Sequence, residues 1–248
     1  MTKIKSQEEI EIMAEGGKIL ATVLKAVEKM VKPGVTTLEL DRAAEALILS
    51  NGAKPAFKGY EGFPFSLCAS VNENIVHGFP SEYALREGDI IGLDLGVFYK
   101  GYNTDMAVTV PVGNISYDAK RLLNTAKKAL RLGVKKSKPG NTIGDIGNTI
   151  QRFAEGQKYG VIRDLCGHGI GKSVHEDPRV PNFGLRKTGE ELVEGMVICI
   201  EPMLAMGDYS LTKSKDGYGF ATKDGSLAAH FEHTIAITKK GPRILTCE

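Results

Sequence analysis

The stretch of residues 88–110, GDIIGLDLGVFYKGYNTDMAVTV, contains two acids inside two runs that are otherwise typical of buried β-strands. Side chains alternate between the two faces of a strand, so residues two positions apart share a face. The apolar faces of the two runs are formed by Ile91, Leu93, Leu95 and Val97 and by Met106, Val108 and Val110. Asp94 and Asp105 lie on the opposite faces. The pattern therefore predicts a β-hairpin with both carboxylates away from its apolar side.

A four-residue connection, residues 98–101, is expected to close this hairpin, because Gly101 is free to take a positive φ. This loop would place Asp94 directly opposite Asp105, with their Cβ atoms about 4.5–5.5 Å apart. Like charges that face each other destabilise a sheet, and burying a carboxylate costs several kcal/mol unless a counter-charge neutralises it. An isolated acid pair is more often part of a solvated surface. The rest of the chain has to decide between such a surface and a cation site.

The composition restricts the class of protein. A chain of 248 residues with 42% hydrophobic content can bury a large core, and no linker divides it, so we expect a single domain over residues 1–248. Lys+Arg 32 against Asp+Glu 30 argues against nucleic acid or a membrane surface as the main partner. The four cysteines form no CxxC motif, and the N-terminus has no apolar signal segment. We therefore expect reduced thiols and a cytoplasmic location, and no run is apolar enough to span a bilayer.

The two halves of the chain, about residues 6–113 and 114–248, repeat the same order of predicted elements. Both begin with two amphipathic helices whose connection contains Lys-Pro-Gly, at residues 32–34 and 138–140. Capping-box sequences predict the starts of the first two helices, at Ser6–Glu9 and Thr36–Glu39. Two copies of a helix, helix and strands unit, related by a pseudo-twofold axis, predict an α+β protein. Its curved, mostly antiparallel sheet carries helices on one side and the acids on the other.

The repeat also places acids at corresponding positions. The run EGDIIGLD, which ends at Asp94, matches the run EGMVICIE, which ends at Glu201, at an offset of 107 residues. A second acid-bearing strand follows in each half and begins at Asp105 or at Glu232. A solvated surface does not require an acid at each of these positions in both copies. The repeat therefore favours a shared site for the four acids.

Histidine is scarce, with five residues in the chain, and His168 lies between glycines in the segment CGHGIG. Glycines at its sides predict a backbone that approaches another group closely, although a structural core histidine is the alternative for His168 alone. Four carboxylates and one imidazole form a hard, oxygen-rich ligand set, and two divalent cations balance four negative charges. Two ions about 3.5–4 Å apart can lower the pKa of a shared water and polarise a carbonyl. This chemistry is hydrolytic.

The motifs resemble those of the type I methionine aminopeptidases, pita-bread metallopeptidases of the bacterial kind. The family pattern is Asp, a second Asp eleven residues later, His in a GHGIG segment, Glu before Pro, and Glu before His-Thr. The matching residues are Asp94, Asp105, His168, Glu201 and Glu232. The resemblance covers nearly the whole chain. It implies a pita-bread fold, two divalent ions (Co, Mn, Fe or Zn), and removal of the initiator methionine from new proteins whose second residue is small.

The resemblance also implies a role for each of these five residues. Asp105 and Glu232 are expected to bridge the two metals, and Asp94 to chelate one of them. His168 and Glu201 are expected to complete the other, with Glu201 also taking part in catalysis.

Further matches extend the expected site beyond the metal ligands. His77 and His175 match family histidines that contact the scissile peptide and stabilise the developing oxyanion. The pocket for the methionine side chain is expected to be formed by Tyr60, Phe63, Cys68 and Tyr218. Three positions differ from the family pattern: Tyr218 replaces a common tryptophan, Val174 a common phenylalanine, and Phe57 a smaller residue. These differences affect the predicted shape of the pocket more than its chemistry.

Two other classes of protein remain open from the sequence. A prolidase or creatinase relative would share the metal motif but usually carries an extra N-terminal domain, for which 248 residues leave no room. An inactive pita-bread module that binds ribosomes or other proteins would have lost metal ligands, whereas all five are present. We therefore expect a monomeric enzyme that acts on the N-termini of nascent polypeptides, in transient contact with the ribosome. It should need neither nucleic acid nor a membrane.

Overall fold

The structure, a computed structural model, describes residues 2–247. Within this range the α-helices are α1 (Gln7–Glu28), α2 (Thr37–Ser50), α3 (Tyr117–Lys136) and α4 (Ile143–Gly156), with a 3-10 turn at Tyr60–Gly62. Both predicted capping boxes are confirmed: Ser6 and Thr36 accept hydrogen bonds from backbone N–H groups three residues later, and the glutamates there accept from the cap residues. Local sequence therefore fixes where the first two helices begin. No helix within the described residues is long and apolar enough to cross a membrane.

The strands are short outside the first hairpin. In the first half they are β1 (Lys54–Pro55), β2 (Leu67–Val71), β3 (Asn74–Val76), β4 (Ile90–Tyr99) and β5 (Tyr102–Pro111). In the second half they are β6 (Gly160–Val161), β7 (Gly167–Gly169), β8 (Glu176–Val180), β9 (Val197–Ile200), β10 (Met203–Ala205), β11 (Leu211–Lys213), β12 (Phe220–Thr222), β13 (Ala228–His230), β14 (His233–Thr238) and β15 (Gly241–Ile244). Each pairing between these strands is antiparallel.

Two sheets carry the acid-bearing strands. The first has the order β1-β4-β2, with β5 also paired to β4, and the second has the order β15-β14-β9-β7-β8. Two three-stranded sheets, β13-β10-β6 and β11-β12-β3, complete the set. The predicted antiparallel α+β fold is confirmed, with the strands divided between four hydrogen-bonded sheets.

The helices cover one side of these sheets. Leu24 of α1 and Leu93 of β4 belong to one buried cluster, together with residues of α2. Leu122 of α3, Ile146 of α4 and Ile198 of β9 belong to a second. Each such fully buried side chain contributes about 1.5–3 kcal/mol. Because the helices occupy the apolar faces, the polar faces of β4, β5 and β9 are left to form the site.

The acidic hairpin differs from its prediction in one respect. It closes through the two residues 100–101, whose φ angles of 46° and 91° suit a tight hairpin turn, because strand pairing continues two residues further than expected. Asp94 therefore pairs with Ala107, and Asp105 with Gly96. The prediction that the two acids face each other directly is wrong. They are diagonal neighbours on one face, about 7–8 Å apart between Cα atoms.

The two halves are joined along a seam between β5 and the segment that contains β13 and β14. The hydroxyl of Thr234 accepts a hydrogen bond from the backbone N–H of Asp105 (2.9 Å) and donates to its carbonyl (2.8 Å). The hydroxyl of Thr109 makes the same pair of hydrogen bonds with the backbone of His230 (2.9 and 2.8 Å). The seam therefore fixes residues of both halves against each other.

Candidate active site

One cavity of about 540 Å³ is lined by every side chain that the sequence assigns to the site. These residues are Tyr60, Phe63, Cys68, His77, Asp94, Asp105, His168, His175, Glu201, Tyr218 and Glu232. Five of them form what we call the carboxylate floor: Asp94, Asp105, His168, Glu201 and Glu232. Each floor residue is at most 8% exposed. The structure therefore brings together residues that are up to 138 positions apart in the sequence, from Asp94 to Glu232.

The close approach predicted around His168 is confirmed. A Cβ atom on Gly167 would lie 2.3 Å from the carbonyl oxygen of Cys199, and one on Gly169 would lie 2.1 Å from that of Asp177. Only glycine therefore allows β7 to fit between β8 and β9. This fit places the imidazole of His168 on the carboxylate floor.

The hydrogen bonds of His168 fix which nitrogen faces the floor. Its Nδ1 lies 2.8 Å from the carbonyl oxygen of Gly169, and because a carbonyl can only accept, Nδ1 carries the proton. The lone pair of Nε2 is then free. It lies 3.6 Å from Oε1 of Glu201 and 4.0 Å from Oδ2 of Asp105. A backbone carbonyl that holds the imidazole in this tautomer is typical of histidines that ligate metals.

Three carboxylates of the floor have an oxygen with no partner. Among the described residues, Oδ1 of Asp94, Oδ1 of Asp105 and Oε1 of Glu232 are buried and receive no hydrogen bond. Burial, with neighbouring carboxylates, raises the pKa of Asp105 and Glu232 well above their usual range, and burial raises that of Asp94 to about 6. Unpaired carboxylates in a low dielectric require neutralisation. The donor set therefore fits divalent cations, which prefer oxygen ligands of this kind.

Glu201 differs from the other acids. Burial opposes its ionisation, but His230, His168 and His77 beside it favour the charged form and lower its pKa. The carboxylate floor therefore contains one acid whose surroundings keep it ionised.

The potential metal ligands form two groups that share Glu232. Ligand atoms of Asp105, His168, Glu232 and Cys199 all lie within 4.8 Å of one another, as do those of Asp94, His230 and Glu232. Burial raises the pKa of the Cys199 thiol well above its usual range, and its Sγ lies 3.5 Å from the hydroxyl of Thr234. A protonated thiol is a poor metal ligand, so Cys199 is a weaker candidate than the other members of its group.

His230 is a residue that sequence reasoning missed. Its position two residues before Glu232 was the available signal, but the family pattern does not include it.

The imidazole of His175 lies at the exposed edge of the cavity and contacts two other side chains. Its Nδ1 is 3.0 Å from the hydroxyl of Tyr60. Its ring meets the ring of His168 edge-on, with centroids 4.4 Å apart. Burial and the neighbouring His168 lower the pKa of His175. Tyr60, predicted only as part of the pocket, therefore also orients this histidine.

His77 is held in an uncommon backbone conformation, with φ 59°. Such a conformation in a non-glycine residue often marks a functional position. Burial lowers the pKa of His77 to about 4, so its imidazole is neutral at pH 7. A neutral imidazole can donate one hydrogen bond and accept another.

An apolar cluster, which we call the aromatic wall, lines the cavity with all its side chains except those of Phe65 and Phe79, which pack against Phe63. It consists of Phe57, Tyr60, Phe63, Phe65, Cys68, Phe79, Val174 and Tyr218. The ring of Tyr218 stacks on Phe79 at 4.9 Å and contacts Phe63 at 5.5 Å between centroids. Phe65 and Phe79 were not predicted. Phe57 and Val174, two positions that depart from the family pattern, are buried in the wall, so these replacements act on the pocket itself.

Comparisons with known proteins agree with this geometry. The sequence model of Metallopeptidase family M24 matches residues 11–239. A methionine aminopeptidase from Clostridium perfringens is 47% identical over 246 residues, covering 99% of each chain. The crystal structure of a methionine aminopeptidase from Thermotoga maritima is 42% identical, with a TM-score of 0.98 over the whole of both chains.

The prolidases are more distant. A prolidase from Pyrococcus horikoshii OT3 has a TM-score of 0.80 and 29% identity, and the match covers 98% of this chain but 63% of the prolidase. More than a third of that prolidase has no counterpart here, as expected from the extra domain of that class. The chain therefore belongs to metallopeptidase family M24, among its type I methionine aminopeptidases, and has the pita-bread fold that the sequence predicts.

Proposed function

We propose that the chain uses this cavity to remove the N-terminal methionine from polypeptides whose second residue is small, by hydrolysis of the first peptide bond. The observation that carries the proposal is the carboxylate floor, where three buried carboxylate oxygens have no partner among the described residues. Nε2 of His168 also lies 4.0 Å from Oδ2 of Asp105 there. As a member of a metallopeptidase family, the chain requires a divalent metal ion.

We assign two divalent ions to the floor, with Co, Mn, Fe or Zn as candidates. Asp105 and Glu232 would hold both ions, Asp94 would hold one of them, and His168 and Glu201 would hold the other. When bound, the two ions neutralise the four carboxylates, lower the pKa of a water and polarise the scissile carbonyl. The unpaired oxygens and the 3.6–4.0 Å spacing of Nε2 of His168 to two carboxylates support this assignment.

Three side chains supply the remaining chemistry. Glu201, which its surroundings keep ionised, accepts the proton that the attacking water loses and returns it to the leaving amine. His175, oriented by Tyr60, donates a hydrogen bond to the oxyanion that develops on the scissile carbonyl. His77, neutral at pH 7, hydrogen-bonds to the substrate peptide. The burial of Glu201 and the hydrogen bond between His175 and Tyr60 support these roles.

The aromatic wall selects methionine. Tyr60, Phe63, Cys68 and Tyr218 surround a narrow apolar space that suits an unbranched thioether, and sulfur makes favourable contacts with aromatic rings. A side chain branched at Cβ would clash with the rings. The free α-amine must reach the floor near Asp94, so cleavage stops after one residue and acetylated substrates are not cleaved. Tyr218 and Val174 widen the pocket relative to the family pattern and soften the preference for methionine.

We further propose that the enzyme is a cytoplasmic monomer, a single domain over residues 1–248, that acts on nascent chains in transient contact with the ribosome. Its four cysteines are free thiols, Cys68, Cys166, Cys199 and Cys247, which is consistent with a reducing compartment.

A panel of Xaa-Ala-Ser and Met-Xaa-Ser peptides, compared by kcat/KM, tests the proposed function. Met-Ala-Ser should be cleaved fastest, and the norleucine peptide should still be cleaved. A mismatch in an apolar pocket costs about 10- to 200-fold, so the valine peptide should be cleaved poorly. Met-Lys-Ser should be a poor substrate because the carboxylate floor leaves little space for the second residue. If Leu-Ala-Ser or Met-Lys-Ser is cleaved as well as Met-Ala-Ser, a broader aminopeptidase activity replaces this proposal.

A further inference from the structure

We infer that His230 is an additional metal ligand and binds the ion that Asp94 holds. The inference rests on the proposed metal site, but it adds a residue outside the five that match the family pattern. It gives each of the two ions one imidazole, with His168 on one side of the carboxylate floor and His230 on the other.

The first observation is a buried nitrogen with no partner. His230 is 3% exposed, and within the described part of the chain its Nε2 has no hydrogen-bond partner. A buried nitrogen that is left unpaired has lost its hydrogen bonds to water without replacing them, which destabilises the folded state. Unpaired buried polar atoms in native proteins often mark a position where an ion or a water binds.

The second observation is the spacing of this nitrogen from the acids. Nε2 of His230 lies 3.6 Å from Oε2 of Glu201 and 3.6 Å from Oε2 of Glu232. Both distances are too long for hydrogen bonds. Two atoms that ligate one ion at about 2.0–2.2 Å each lie at most about 4.4 Å apart, so the distance to Glu232, which is assigned to both ions, suits ligands of a common ion. The ligand atoms of Asp94, His230 and Glu232 also lie within 4.8 Å of one another.

The third observation is that the imidazoles of His230 and His168 lie at the same distance from the carboxylate of Glu201. Nε2 of His168 lies 3.6 Å from the other oxygen of Glu201, Oε1. The carboxylate of Glu201 therefore lies between two imidazoles, with one oxygen facing each. Because His168 matches a metal ligand of the family, an imidazole at the same distance from the other oxygen of Glu201 is also placed to ligate a metal. Its ligand atom lies within 4.8 Å of those of Asp94 and Glu232, which assigns it to the ion at Asp94.

The fourth observation is the way the backbone of His230 is held. The hydroxyl of Thr109 makes two hydrogen bonds with it, as the hydroxyl of Thr234 does with the backbone of the floor residue Asp105. The residue also pairs with Met203 on β10. The imidazole is therefore placed by rigid elements on both sides, as metal ligands usually are.

An imidazole on the second ion has a consequence for metal choice. Carboxylates alone suit Mn and Mg, whereas imidazole also suits Zn, Fe and Ni. We therefore expect the ion at Asp94 to exchange less readily for Mg²⁺ in the native protein than in a variant without His230.

The test is X-ray absorption spectroscopy of protein loaded with two equivalents of Co²⁺, in which scattering from imidazole rings gives the number of histidine ligands. The native protein should show on average one imidazole per ion. The His230→Gln variant should show one imidazole for every two ions. In titrations with Co²⁺, the second ion should bind to this variant more than about 100-fold more weakly than to the native protein. Loss of a group that only hydrogen-bonds to a metal ligand weakens metal binding by about 10- to 100-fold, so a larger loss indicates a direct ligand.

His233→Gln is the matched control. This histidine also lies beside Glu232 in the sequence, but its Nδ1 hydrogen-bonds to the hydroxyl of Thr246 at 2.9 Å. The control should keep the native imidazole count and both Co²⁺ affinities. If native protein with two Co²⁺ ions has one imidazole for every two ions, the inference is wrong while the proposed function stands. If His230→Gln binds both ions with native affinity, the inference is also wrong. Native protein that binds no divalent ion would contradict the proposed function as well.

The native spectrum decides the question even if His230→Gln does not fold, because it requires no variant.

Discussion

The two acid-bearing strand pairs of the molecule have corresponding sequences but different connections. In the first half, β4 and β5 are joined by the two residues 100–101. In the second half, β9 and β14 are separated by residues 201–232, which contain the four short strands β10 to β13. The long connection carries Tyr218 of the aromatic wall and also His230. The two strand pairs, with the residues directly at their ends, therefore supply four of the five residues of the carboxylate floor, whereas the longer connection supplies Tyr218 and His230.

The two pairs also differ in register. Asp94 and Asp105 are offset by two positions, since Asp94 pairs with Ala107. The pairing of β9 with β14 ends at Ile200 and His233, so Glu201 and Glu232 come directly after the last pair, where the strands separate. The two strand pairs therefore both carry acids, but the acids differ in register. The separation in the second half leaves room beside both glutamates for the ring of His230.

The largest expected effect is loss of an acid that is shared between the proposed ions. Asp105→Asn and Glu232→Gln take one acid from each strand pair, and each should lose metal and activity together, because the remaining carboxylates no longer balance two ions. Both variants should be less active than any variant of the wall. Metal content of the purified variants and their kcat/KM for Met-Ala-Ser are the measurements. If one variant kept both ions and the native rate, the two strand pairs would not contribute equally to the floor.

His175→Ala should have the next largest effect. The floor remains complete, so the variant should keep its metal, while kcat falls about 10²- to 10³-fold because an oxyanion donor is lost. Steady-state kinetics and metal analysis of the same sample check this expectation. Tyr60→Phe is the matched variant, since it removes only the hydroxyl that orients His175, and its kcat should fall less. Loss of metal in His175→Ala would assign this histidine to the floor instead.

Tyr218→Ala tests the contribution of the long connection. The variant loses the ring contacts with Phe79 and Phe63, so kcat/KM for Met-Ala-Ser should fall about 10- to 200-fold with metal content unchanged. Tyr218→Trp should instead increase the preference for Met-Ala-Ser over Leu-Ala-Ser. An unchanged preference in both variants would show that this connection does not form the pocket.

The smallest effect on rate is expected from a change outside both strand pairs. Lys5 and Glu176 form an ion pair of 2.8 Å in which both side chains are at most 5% exposed. Lys5→Met should lower the free energy of unfolding by about 1.5–3 kcal/mol, the worth of a hydrogen bond to a charged group, with little change in kcat. Glu176 would keep only the weaker contacts to Lys3 at 3.5 Å and to the backbone N–H of Ser173 at 3.2 Å. Burial opposes ionisation of Glu176, but its hydrogen bond to Lys5 lowers its pKa. The pair therefore stabilises the native state above the usual pKa of glutamate, about 4.3, and this stabilisation is lost as the pH falls through the lower native value. Denaturant unfolding at pH 7 and below pH 4 measures both effects, and equal costs at both pH values would contradict the assignment.

How much the sequence could predict differs between the floor and the wall. Period-two alternation and the match of Asp94 to Glu201 were enough to place the acids on one face. Alternation alone does not decide where a strand ends, so the turn at residues 100–101 was predicted too long. The division of the chain into two halves stays a prediction.

The aromatic wall depends on contacts between distant loops, which no local pattern encodes. Phe65 and Phe79 were therefore missed, although Tyr60, Phe63, Cys68 and Tyr218 followed from the family resemblance. His230 was missed for another reason. A sequence does not show that a buried nitrogen lacks a hydrogen-bond partner.

The most direct test of the account is metal removal followed by metal return. Protein depleted with a chelator should not cleave Met-Ala-Ser, because the bound ions would both lower the pKa of the attacking water and neutralise the carboxylate floor. Stepwise addition of Co²⁺ should restore cleavage as the floor is filled. Metal-free protein that cleaved Met-Ala-Ser at the full rate would contradict the assignment of the carboxylate floor as a catalytic metal site.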